Sequence, residues 1–288
     1  IEEIAKAISY ATNRQNAVNR ADFKALHPYH IDLEKRSRST WAPDPTGGNI
    51  ETKWFYERAR GLYDETRNLK RTEAEKRKWT ARNPRSQKFD KLLLAKAVQT
   101  FELLPDKVCL GAQKNFHDFS ISIQENNRNT VDDIDFKDIV AKVILWKNTE
   151  RIVSAQKTPG YRAQIVTYTL ALVSYLLQGR INFNDIWQNL AIQEELKEII
   201  DYYAYKVREH LTDTEANVTE YAKKEAVWIA LKKKLDVDKN TISEKIPNSL
   251  VDPNEAKKAL KRKKAPKKQL KLINEFAPDD WFAAAKWG

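Results

Sequence analysis

Glycine is the residue that most constrains this chain: 288 residues contain only 7 of them. All-β folds turn tightly and often, and tight turns draw on glycine for positive φ angles. A chain so poor in glycine, and rich in Lys, Glu, Leu and Ala, is expected to be built mainly of helices. Hydrophobic residues make up 41% and charged residues 32%. That is enough to fill a core under a heavily charged shell, and it excludes disorder throughout.

The longest apolar stretch, Ala163 to Leu177, carries Gln164, Thr167, Thr169 and Ser174. It is too short for a bilayer and reads as a buried core helix, so no membrane partner is expected. Within it Ile165, Tyr168, Leu172 and Leu176 form one stripe. The single cysteine, Cys109, rules out an intrachain disulfide and fits a cytoplasmic setting. The chain starts at Ile1 and contains no Met, so we expect it to be a piece of a longer protein.

Helix signals recur along the chain. Glu2 to Thr12 and Ala21 to Arg36 have helical spacing, with Pro28 expected to kink the second. Thr72 and Glu75 form a capping box before a helix that runs to about Ala81. From Asp90 the pattern is helical almost to Val237, with helices expected over 91–104, 111–124, 136–156, 161–178, 193–211 and 219–235. Asp135, Asn184, and Asn217 or Thr219 are the expected caps. Thr52 to Gly61, with Trp54, Phe55 and Tyr56, has the aromatic content of a strand. The expected fold is therefore mainly α and bundle-like, with a small β element near residues 53–60. Two regions are expected: an α-rich body over 1–237 and a basic, partly irregular extension over 238–288.

The net charge of +11 suits a polyanionic partner, DNA or RNA. Residues 257–271 hold nine Lys or Arg and no acid, among them Lys261, Arg262, Lys263 and Lys264. Such a run either neutralises phosphates or is a solvated tail. Lys53, Arg58, Arg60 and Arg67 flank the aromatic run. They suit phosphate clamping with base stacking, or else an amphipathic strand with solvated arginines.

Other chemistries find little support. There is no P-loop, dinucleotide fingerprint or nucleophile elbow, and no cofactor is expected. The histidines are His27, His30, His117 and His210. Only His27 and His30 are spaced to share a helix face, and no metal motif surrounds them. Asp132, Asp133 and Asp135 read as first-turn residues of a helix better than as metal-binding carboxylates.

Several ordered blocks resemble one family. The run Ala11-Thr12-Asn13-Arg14-Gln15-Asn16-Ala17-Val18 is followed by Tyr56-Glu57-Arg58-Ala59-Arg60-Gly61. Ala95-Lys96 and Gly111-Ala112-Gln113-Lys114-Asn115 come next. Tyr161-Arg162-Ala163-Gln164, Ile186-Trp187-Gln188 and Asn217-Val218-Thr219-Glu220 complete the set. Together they resemble the AIPR family, the abortive-infection phage-resistance proteins of bacteria, from about Ile1 to Lys234. The resemblance implies antiviral defence and supplies no mechanism. On the residues themselves, Asn13, Arg14, Gln15 and Asn16 at a helix end suit base or phosphate contacts, or loop stabilisation. Lys114 at the Gly111 turn has the same two readings. The expected ligand-facing set is Asn13, Arg14, Gln15, Asn16, Tyr56, Arg58, Arg60 and Lys114, with the basic tail. Two rivals stand beside nucleic-acid association. One is a metal-dependent nuclease whose catalytic residues lie upstream; the other is a module that senses a phage component.

Overall fold

The first turns of several helices show why this sequence folds as it does. The computed structural model describes residues 24–156, 160–178, 180–239 and 242. Helix α1 (Pro28–Ser39) begins at Pro28 itself, in the first turn, where a missing N–H costs nothing. The His27 ring accepts from Tyr29 N. The expected kink is thus a helix start, a correction to the reading of Pro28. After α1 come strand β1 (Phe55–Glu57), helices α2 (Leu62–Asn68) and α3 (Glu73–Arg82), a 3₁₀ turn and strand β2 (Lys88–Asp90). Thr72 and Glu75 close the capping box of α3 as its sequence requires.

The remaining described elements are helices: α4 (Lys91–Phe101), α5 (Pro105–Cys109), α6 (Ala112–Glu125), α7 (Asp133–Ala155), α8 (Arg162–Leu176), α9 (Phe183–Asn189), α10 (Glu194–Thr212), α11 (Val218–Tyr221) and α12 (Glu225–Leu235). Asp90 caps α4 by accepting from Leu93 N at 2.7 Å. The cap of α7 is Asp132 rather than Asp135, and it accepts from Asp135 N. The cap of α9 is Asn182 rather than Asn184. Asn217 caps α11, and the helix expected over 219–235 is divided into α11 and α12.

The fold is mainly α with a small β element, as expected. α8 is buried on nearly every side, the mark of a central helix. It packs against α7, α10, α4 and α5, and α7 also receives α9. Ile165, Tyr168, Leu172 and Leu176 are each 0–1% exposed.

The β element is smaller than the aromatic run suggested. β1 and β2 pair in parallel, with Phe55 opposite Lys88, Tyr56 opposite Phe89 and Glu57 opposite Asp90. Parallel strands need a long crossover, and α2 and α3 supply it. Phe55, Tyr56 and Glu57 are all buried, so the strand shows no inward–outward alternation. Phe55 meets Tyr63 of α2 and Trp79 of α3, while Tyr56 meets His30 of α1 and Phe89 of β2.

Candidate anion-binding surface

The residues around β1 sort into a tied core and an open basic face. Tyr56 belongs to the first. It is 0% exposed, and its hydroxyl shares a 2.8 Å hydrogen bond with His30 Nδ1. Burial pushes the His30 imidazole down to about 3, so it is neutral at ordinary pH. Glu57 is buried too. Its carboxylate accepts from Tyr63 N at 3.2 Å and from Lys88 Nζ at 2.7 Å. Arg58 is half-buried; its Nε meets Glu34 Oε2 at 2.6 Å, and Nη1 donates to Ala25 O. Arg38 stacks on the Phe55 ring and donates to Tyr56 O.

These contacts correct one expectation. The aromatic run was expected as a strand over 52–61 that includes Arg58 and Arg60, but the strand ends at Glu57. Arg58 is anchored on α1, while Arg60 is exposed in the turn before Gly61. Arg58→Ala is accordingly expected to lower stability by about 1–2 kcal/mol, the range for a charge-assisted bond that is partly screened. Thermal denaturation checks this, and an unchanged melting temperature would mean that the Glu34 pair contributes nothing.

The histidines do not converge. His27 caps α1, His30 is bonded to Tyr56, His117 contacts Lys24, and His210 bonds Val227 O. Among the described residues, no three His, Cys, Asp or Glu side chains are grouped to hold a metal. Asp132 caps α7, and Asp133 pairs with Lys137. No described helix is long and apolar enough to cross a membrane.

The open face is the crossover. Residues 58–88 carry eleven Lys or Arg against four Asp or Glu, a net of +7 within a chain of net +11, with Arg58 and Lys88 at its two ends tied to Glu34 and Glu57. Helix α3 has no buried residue, and Arg77, Lys78 and Arg82 are exposed. Its one aromatic, Trp79, is set edge-on to Phe55 and Tyr63. Arg67, Arg77, Thr80 and Arg85 line a hollow of about 460 Å³. Arg67 Nε donates to Thr80 Oγ1 at 3.3 Å, and Arg85 pairs with Asp64 over the Tyr63 ring.

Of the residues singled out from sequence, Arg60 and Lys114 are exposed and Tyr56 is in the core. The structure does not bring Lys114, at the start of α6, into this hollow. Asn13, Arg14, Gln15 and Asn16, and Lys261, Arg262, Lys263 and Lys264, lie outside the described residues. Arg77, Arg82 and Arg85 were missed. A charge sum over a window of about thirty residues finds them.

The structure defines an α-rich protein that carries a basic helical crossover on a two-stranded parallel ribbon. Residues 1–215 match the AIPR protein family, and the chain belongs to it. Membership points to abortive-infection phage resistance. No curated protein and no solved structure matches the chain.

Proposed function

We propose that this protein is a cytoplasmic antiviral factor that engages nucleic acid through the α2–α3 crossover. The observation that carries the reading is the net charge of +7 over residues 58–88, a stretch whose helix α3 has no buried residue. Folding gives no reason to gather so many like charges on one short crossover; a polyanion does. Arginine predominates in the hollow, and its planar fork suits phosphate oxygens. Arg60 and Lys114 are exposed cations that extend the same proposal to the earlier candidates. The nine cations of 257–271 are proposed to add charge without sequence preference.

The test is a charge reversal, Arg67→Glu together with Arg77→Glu. Binding is measured by anisotropy with labelled DNA and RNA over a salt series. The expected result is a large loss of affinity at low salt. The slope of log affinity against log salt should also fall by roughly 0.7–0.9 for each phosphate contact removed. Unchanged affinity and slope would overturn the reading.

A further inference from the structure

Trp41, like Tyr161, Tyr202 and Tyr205, is an aromatic left exposed among the described residues. It is 43% exposed, and a tryptophan left in water forgoes the gain that burial would bring. The loop that carries it is nonetheless held in place. Ala42 N donates to Thr52 O at 2.9 Å across its base. The Asp44 carboxylate ties the tip by accepting from Thr46 N, Thr46 Oγ1 and Ile50 N. Lys53 N donates to Arg82 O at 2.8 Å, which fixes the end of the loop to the end of α3. Lys53 Nζ donates to Arg38 O and lies 3.9 Å from the Trp41 ring centroid, a cation–π contact that orients the indole.

We propose that Trp41 is a stacking platform for an unpaired base, so that the nucleic acid taken by this surface is single-stranded. The proposal rests on the nucleic-acid reading of the crossover and adds to it a substrate class. A duplex keeps the faces of its bases inside the stack, whereas a single strand presents them to aromatic side chains. The phosphates of such a strand have Lys53 at the ring and the end of α3, bonded to the Lys53 backbone, next along the chain of contacts. Lys53 touches the indole, and Arg82, the last residue of α3, accepts from Lys53 N. Arg77 and Thr80 line the basic hollow on the same helix. From Arg77 to Arg82 is five residues, about 7.5 Å along the helix axis, a span that a few nucleotides cover. The indole is oriented before binding, so little rotamer freedom is lost when a base arrives.

The experiment compares one labelled oligonucleotide as a single strand and as a duplex. It uses the whole chain, Trp41→Ala, Trp41→Phe, and the Arg67→Glu/Arg77→Glu variant. The expected result is that the unaltered chain favours the single strand and that Trp41→Ala weakens that form by roughly tenfold, in line with loss of one stacked base. Duplex affinity and melting temperature should not change, and Trp41→Phe should retain most of the single-strand affinity. Equal binding of both forms by Trp41→Ala and the unaltered chain overturns the platform but leaves the basic surface standing if the double reversal abolishes binding. An equal loss on both forms also overturns it. If the unaltered chain binds neither form, the nucleic-acid reading fails and the platform fails with it.

Discussion

Leu172→Ala is expected to cost about 2–5 kcal/mol, because the position combines complete burial with neighbours that cannot close around a gap. Leu172 is 0% exposed in the middle of α8. α8 is held from several sides by α7, α10, α4 and α5. It is pinned further along by Tyr168, whose hydroxyl donates to Ala222 O at 2.8 Å. A helix fixed on all sides cannot slide into the space that a missing isobutyl group leaves, so the cavity remains. Melting temperature should fall by about 2–4 °C for each kcal/mol in a domain of this size. Leu172→Met, which keeps the volume, should cost less than about 1.5 kcal/mol. A loss below about 1 kcal/mol for the alanine variant, measured by denaturant titration, would remove α8 from the centre of the core.

The stripe that contains Leu172 was legible because its signal is local. Ile165, Tyr168, Leu172 and Leu176 recur at helical spacing, and Thr72 with Glu75 spells out a helix start within four residues. What was not legible depends on partners far along the chain. β2 is only Lys88-Phe89-Asp90, with no β-branched residue, and it becomes a strand because β1 lies beside it. α2 has Gly61 at its N-cap, with φ of +86° and no side chain to offer, so no Ser, Thr, Asn or Asp announces the helix. Pro28 carries the same local message for a kink and for a first helical residue, and only the backbone before it decides. The surface divides in the same way. The run over 257–271 is visible because its cations are not interrupted, whereas the crossover hides a net of +7 among capping acids. Arg58 and Arg67 look alike in sequence. Glu34, twenty-four residues before Arg58, commits Arg58 to the fold, and Arg67 is left beside a hollow.

Glu57→Ala should destabilise the β element and the crossover together, by about 3 kcal/mol. The Glu57 side chain is 9% exposed and serves two elements at once. One oxygen holds Tyr63 N, an N–H in the first turn of α2 that has no acceptor within its own helix. The other holds Lys88 Nζ of β2. Alanine leaves both donors without their acceptor in a setting where water reaches them poorly, and a partly buried ammonium without its carboxylate is the larger cost. The Lys88 side chain keeps 28% exposure, which places the loss at the lower end of the range for broken buried pairs. Glu57→Gln retains an acceptor for Tyr63 N and should lose only part of that stability. Lys88→Met in the Glu57→Ala background removes the stranded charge and should recover stability, so a double-mutant cycle should show clear coupling between the two residues. Additive losses would mean that the pair contributes little and that Glu57 acts through α2 alone. The variant also guards the functional test. Arg67 lies in α2 and Arg77 in α3, so a nucleic-acid defect in Glu57→Ala reports a loosened crossover, whereas the same defect in a normally melting Arg67→Glu/Arg77→Glu chain reports lost charge.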